Sequence, residues 1–346
     1  MKMRVTLPIL LCMLLTLPLR AAEEIYPKHV TEKSQTAVKK GLDYLAKTQT
    51  QDGNWTNMRD GEAYPITMAS IAGMAFLANG NTPTRGPYAD QVRKIERYLM
   101  SNATPSGLIT GPGEEEGRPM YGHGFSMLFL SECYGMETDE RLRTKLKKIL
   151  TEAIRLTARG QSNLGGWTYT PGSGDEGSVT VTQMQGLRAA NNAGFSVPKA
   201  TIDEAVKYLE RCRTAEGGIQ YSYGSGGDTR LPISAAAIAT LYNAGEYDSR
   251  LADTCMAYVW KRFSAQKEFS KGEGHDFYTH LYAAQAFYQA GDKYWDEYFP
   301  STREQILKMQ QGDGSWNGDG VGPVYGTGIS LIILQLPYKF LPIYQR

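Results

Sequence analysis

Histidine and cysteine are both scarce in this chain, with four of each among 346 residues. The four histidines form no His-Glu-x-x-His, and the sequence carries no Gly-x-Ser-x-Gly, no Walker loop and no Cys-Gly-Glu-Gln thioester. The common metalloprotease, hydrolase, nucleotide-binding and complement-like signatures therefore find no counterpart. The run Tyr223-Gly-Ser-Gly-Gly227 lacks the Lys-Ser/Thr of a phosphate loop and reads as a connection. Long apolar runs are absent with one exception, Val5 to Leu19, which follows Lys2 and Arg4 and precedes Ala21-Ala22. That arrangement predicts a signal peptide over residues 1–22, and Pro8 and Pro18 make it a poor membrane span. Ile329 to Leu336 is too short to cross a bilayer, so residues 23–346 are expected to hold no transmembrane segment and to act outside the cytoplasm, in the periplasm or the medium. Only Cys133, Cys212 and Cys255 then remain, odd in number and widely spread, which excludes a disulfide framework and leaves them as small buried residues. Excess charge is missing too: 37 Lys+Arg face 36 Asp+Glu, and removing Lys2, Arg4 and Arg20 leaves 34 against 36, a formal charge of −2. Nucleic acid is a poor partner for such a surface.

What the chain does have is a phrase written three times: Gln49-Thr-Gln-Asp-Gly53-Asn-Trp55, Gln161-Ser-Asn-Leu-Gly165-Gly-Trp167 and Gln310-Gln-Gly-Asp-Gly314-Ser-Trp316. A glutamine that closes a helix end, a glycine free to take positive φ and a tryptophan that packs back make one structural clasp. Weaker copies at Gly107-Leu-Ile109 and Gly217-Gly-Ile219, with a degenerate one near Lys267-Glu-Phe269, bring the count to six units of about fifty residues. Charged amphipathic stretches such as Val92 to Leu99 and Leu146 to Leu156 precede the phrases. Nearly uncharged stretches follow them: Thr67 to Ala78, Gly124 to Tyr134, Thr182 to Ala193, Ser234 to Ala244, Thr279 to Ala290 and Thr327 to Leu336. The first kind has one face to bury and the second must be covered on most sides, which predicts outer and inner helices. Gly80, Gly135, Gly194, Gly245 and Gly291 are expected to end the inner ones. Only Gly218 to Ser222 reads as briefly extended. The pattern predicts an all-α (α/α)6 toroid of six helical hairpins rather than an open solenoid, because the first and last phrases are as strong as the middle one.

The Gln-x3-Gly-x-Trp phrase and its period resemble the repeats of the terpenoid cyclase and protein prenyltransferase superfamily, which includes squalene-hopene cyclase and the farnesyltransferase beta subunit. Met120-Tyr-Gly-His-Gly-Phe125, Gly166-Trp-Thr-Tyr169 and the ending Leu336 to Arg346 are similar to secreted single-toroid proteins described as prenyltransferase/squalene oxidase repeat-containing. The resemblance implies the toroid and a cavity for an isoprenoid or other lipid; activity does not travel with a fold. Cyclases of this superfamily protonate their substrate with an Asp-x-Asp-Asp motif at the entry to an inner helix. Here Ser173 replaces the first acid, Asp175 takes the central place and Glu176 the last, so a neighbour that would tune the proton donor is gone. The alternative for Asp175 and Glu176 is a dipole role at a helix N-terminus. The zinc set of prenyltransferases is mimicked by Asp253-Thr-Cys255 with His280, but that pair falls on an outer helix and His280 stands one residue late, so no metal and no cofactor is expected.

Inner-helix entries gather Tyr64, Tyr121, His123, Tyr278, His280 and Tyr325, with Trp167 and Tyr169 in the third clasp. If they face one mouth, they line an amphipathic pocket for a hydrophobic small molecule; otherwise tyrosine and threonine only pack helix starts. His123 is the leading catalytic candidate beside Asp175 and Glu176. A non-catalytic interaction scaffold and a carbohydrate-processing toroid are the competing readings.

Overall fold

The computed structural model describes residues 26–223, 228–265, 269 and 274–345. The expected leader, the run from Gly224 to Gly227, and Lys267 and Glu268 of the fifth phrase lie outside these residues. Thirteen α-helices are described: α1 Glu32–Thr48, α2 Arg59–Ala63, α3 Pro65–Ala78, α4 Ala89–Ser101, α5 Pro119–Met136, α6 Glu140–Arg159, α7 Gly177–Asn192, α8 Lys199–Arg211, α9 Leu231–Asn243, α10 Arg250–Ala265, α11 Asp276–Ala290, α12 Asp292–Met309 and α13 Pro323–Gln335. No strand accompanies them among the described residues, where pairing is limited to isolated bridges such as Arg213 with Ile219 and Gln220 with Thr229.

Burial sorts the helices as their charge pattern predicts. All 14 residues of α3 are buried, whereas α4 buries only the stripe Val92, Ile95, Glu96, Leu99 and Met100. The inner helices α3, α5, α7, α9, α11 and α13 pack each on the next, and α13 packs back on α3. The chain is an (α/α)6 toroid, with α1, α4, α6, α8, α10 and α12 on the outside. Proline opens α3, α5, α9 and α13 within the first two positions, where its missing N–H costs nothing. The inner helices consequently begin earlier than their apolar stretches. One predicted stop is corrected: α5 runs through Gly135 to Met136, and Gly135 is not among the positive-φ glycines.

The clasp is built alike in all three strong copies. Each tryptophan is fully buried, and its indole N–H returns to the preceding outer helix, to Thr48 Oγ1 (3.1 Å), Thr157 O (2.8 Å) and Ile306 O (2.7 Å). Each glutamine amide holds its own turn and also reaches the next outer helix: Gln49 to Gln91 O, Gln161 to Thr201 O (2.8 Å) and Gln310 to Ala37 O (2.9 Å). The last of these ties the sixth repeat to the first. Gly314, at φ 94°, lies so close to α1 that a Cβ would stand 2.5 Å from Lys40 O, so glycine is needed for conformation and for space together. The phrase is therefore a strap between neighbouring repeats as well as a helix stop.

Candidate functional site

Alternating outer and inner helices leave the six inner helices parallel, so six N-termini, each with unsatisfied N–H groups, meet at one end of the bore. The segment before one inner helix caps the previous one around the ring. Glu115 accepts from Ile66 N–H (2.8 Å) and Thr67 N–H (2.9 Å) of α3. Asp319 accepts from Phe277 and Tyr278 of α11 (3.1 and 3.3 Å). Asp60 accepts from Val324 and Tyr325 of α13 (2.7 and 3.1 Å), which carries the rule across the junction between the two ends of the chain. In two places a carbonyl does this work: Tyr169 O for Met120 of α5 (3.1 Å) and Tyr221 O for Gly177 of α7 (2.8 Å). Glu176 caps its own helix, accepting from Ser178 N–H (2.9 Å) and Val179 N–H (2.5 Å). Burial pushes Asp60, Glu115 and Glu176 upward in pKa, and the donated hydrogen bonds pull each back.

Inside this collar, tyrosines from five repeats converge. The Tyr121 and Tyr169 rings lie 5.9 Å apart, and the Tyr169 hydroxyl bonds the Tyr221 hydroxyl. Tyr121 bonds Ser178 Oγ, while Tyr278 donates to Ser178 O (3.1 Å) and packs its ring 4.8 Å from Tyr282. Tyr325 donates to Asp319 (3.2 Å). Because the hydroxyls are engaged with one another and with the collar, the half-buried rings of Tyr121, Tyr169, Tyr221, Tyr278 and Tyr325 offer aromatic surface. Burial, the first cause in each case, holds the phenols of Tyr121, Tyr278 and Tyr325 far above the usual tyrosine range, so they remain neutral donors. Arg118 stands at the rim, its guanidinium carbon 5.0 Å over the Tyr169 ring.

Of the residues singled out in the sequence, Tyr121, Tyr169, Tyr278, Tyr325 and Glu176 are thus brought together. Tyr64 flanks the start of α3, half-buried against the core. The others are placed elsewhere, each for a local reason. His123 is fully buried between α5 and α6; Nδ1 accepts from Ile109 N–H (3.2 Å), which leaves Nε2 to donate to Thr157 (3.0 Å). Thr180, Ser234 and Thr327 perform the same service for Trp167, Ile219 and Trp316 in their own repeats. His280 is stacked on Phe269 with centroids 3.8 Å apart, donates to Phe269 O (3.0 Å) and accepts from Tyr298 (2.9 Å). Desolvation lowers the two histidines to about 4 and about 3, so both are neutral struts at physiological pH. Trp167 has no accessible surface. Asp175 is half-buried beside Gly166 and Tyr208 of α8, turned to the outer layer, and adds to the upward pKa push that burial and Cys212 exert on the Tyr208 hydroxyl. Asp253 is exposed, Cys255 is buried with its thiol pushed up to about 12, and no metal-binding group of three acids, histidines or cysteines occurs among the described residues.

Tyr221, Tyr282, Ser178, Asp60, Glu115 and Asp319 were not anticipated. Tyr221 had a signal, since it follows Gly217 by four residues as Tyr169 follows Gly165. The bore is limited below the tyrosines. Gln185 of α7 donates to Gln285 of α11 (2.6 Å), and because α9 lies between those helices this bond crosses the interior. The far end is closed by the C-terminal segment, where Leu341, Ile343 and Tyr344 are buried, Gln289 donates to Ile343 O, and Ile343 N–H meets the Glu132 carboxylate.

No protein-family model and no curated protein matches the sequence. Solved structures do share its fold. The type II terpene cyclase MstE from Scytonema superposes with a TM-score of 0.61 at 13% identity, over 90% of this chain and 100% of that one. A GH76 alpha-mannanase of Bacteroides thetaiotaomicron gives 0.61 at 11% identity over 88% and 96%. An inactive alpha-1,6-mannanase variant of a Salegentibacter species, in complex with alpha-1,6-mannotriose, gives 0.62 at 8% identity over 89% and 100%. At such identities the likeness is one of fold: the chain is a helical toroid, similar in architecture to terpene cyclases and mannanases alike.

Proposed function

We propose that this toroid binds an isoprenoid or another lipid-like molecule with a compact apolar body at its tyrosine-lined mouth, outside the cytoplasm, and does so without acid-initiated cyclisation. The observation that carries the reading is the convergence of Tyr121, Tyr169, Tyr221, Tyr278 and Tyr325, whose engaged hydroxyls leave ring surface for an apolar ligand. MstE, the cyclase similar in fold, has been solved with geranylgeranyl dihydroxybenzoate. Catalysis by protonation needs a carboxylic acid aimed at the ligand. Asp175 points away from the mouth, and Glu176 spends its oxygens accepting from Ser178 and Val179.

A second reading, an oligosaccharide ligand, is favoured by the shallowness of the site. Ser178 and Gln185 are seven residues apart on α7, about 10 Å of helix at 1.5 Å per residue, before the Gln185–Gln285 bond crosses the bore. Thermal-shift and calorimetric titration of the full chain with geranyl- and geranylgeranyl-bearing phenols and with mannotriose separates the two. Binding of the geranyl compound, lost in Tyr278→Ala and Tyr325→Ala, is the expected result. Binding of mannotriose alone transfers the site to the second reading, and binding of neither overturns both and leaves the rim as a protein-docking surface.

A further inference from the structure

Past their first residues the six inner helices carry one carboxyl group, Glu132 of α5, and one Lys or Arg, Arg188 of α7. Glu132 is accounted for by the C-terminal segment. Arg188, half-buried, makes no ion pair and no hydrogen bond among the described residues. It lines a groove of about 550 Å³ on the outer surface between α7, α8 and α9. The other cations of the groove are already satisfied: Lys199 by both oxygens of Asp203 (2.6 and 2.8 Å) and Lys207 by Glu204 (2.7 Å). Glu246, the remaining acid at the rim, makes no ion pair among the described residues. A cation near the end of α7 suits the helix dipole, but that would be served by full exposure and does not explain the apolar floor of Leu187, Val197, Ile202 and Val206 beside it. An unpaired guanidinium at the head of an apolar trough is complementary to an anionic head on an apolar chain, and its planar fork matches a carboxylate.

We propose that this groove binds a long-chain alkyl carboxylate, with the carboxylate on Arg188 and the chain along Leu187, Val197, Ile202 and Val206. The site is independent of the mouth. Dodecanoate is the probe, titrated into the full chain by calorimetry and followed by the methyl resonances of 13C-labelled methionine, because Met184 lines the groove and Met120 sits at the mouth beside Tyr169. The expected result is saturable binding that moves Met184 and leaves Met120 in place. It should weaken at least about tenfold in Arg188→Ala and for 1-dodecanol, as loss of a charge-assisted bond requires, and less in Arg188→Lys. Shortening to decanoate should weaken it by up to about fourfold per methylene removed. Binding that survives Arg188→Ala, equal binding of the alcohol, absence of binding at millimolar dodecanoate, or a shift of Met120 without Met184 would each overturn the groove assignment. The last outcome would at the same time support a lipid at the mouth.

Discussion

The two ends of the bore are made from the same six helices and could hardly be treated more differently. At the mouth, where the positive helix ends gather, Asp60, Glu115, Glu176 and Asp319 are drawn in as caps, and tyrosines stand over them. At the far end the carbonyls are satisfied by glycine turns, as where Gly80 N–H meets Leu77 O and Asn81 N–H meets Phe76 O, and by side-chain amides such as Gln335 on Ala75 O. Glu132, buried there on α5, gains a single backbone donor and is pushed up to about 7 by burial. Helix polarity thus separates the two ends: at the mouth backbone N–H groups pull the burial-raised acids back, whereas at the far end Glu132 has little to offset its burial. The far end is given to closure by the chain's own tail.

The largest test removes that closure. Tyr344 is 4% exposed and seated near Glu132 and Tyr282, so Tyr344→Ala should cost about 3–5 kcal/mol in denaturant unfolding. Mouth binding in the folded remainder should be unchanged; a loss of ligand affinity in that variant would mean that the two ends are coupled. At the mouth itself, Glu115→Ala leaves two N–H groups and the Thr67 hydroxyl of α3 without their acceptor. At about 1–3 kcal/mol for a buried donor left unsatisfied, water entry included, a total near 3 kcal/mol is expected by chemical denaturation, and a value under about 1 would show the collar to be decorative.

How much of this was legible depended on whether partners lie within one repeat. The clasp, the inner and outer helices and closure of the ring all follow from a phrase whose parts are four and six residues apart. Asp60, Glu115 and Asp319 escaped because each caps a helix of the neighbouring repeat, across 264, 49 and 42 residues. His123 drew attention as chemistry because its equivalents are Thr180, Ser234 and Thr327, and the offset from the clasp varies from 11 to 15 residues, which hides the shared duty. The tail showed itself as similarity in sequence without revealing that it closes the bore.

A pH series sharpens the contrast between the ends. Glu132 has a folded-state pKa raised from 4.5 to about 7, so its favourable contribution is complete below about 4.5 and is lost as pH rises through 7. Glu96, buried beside Arg93 and Glu137, is pushed to about 7 as well, by burial first. Stability should therefore decline between pH 5 and 8 by up to about 3 kcal/mol for Glu132 alone. Glu132→Gln should remove that share of the slope, while a slope identical to that of the parent chain would place the burial cost elsewhere.

The smallest expected effect decides most about chemistry. Asp175 occupies the central position of the acid motif in sequence, yet in the fold it turns to Tyr208 and the outer layer, away from the tyrosine cluster. Asp175→Asn keeps the side chain's shape and removes its capacity to act as an acid. If the toroid binds its ligand without protonating it, this variant should match the parent within twofold in ligand affinity and, because the half-buried carboxylate is exchanged for an isosteric amide beside Tyr208, within about 1 kcal/mol of stability. Should purified chain convert a geranylgeranyl substrate, and Asp175→Asn abolish that conversion while leaving affinity intact, the acid would have to swing into the mouth during turnover. The binding-only reading would then fail at the residue where sequence and fold disagree most.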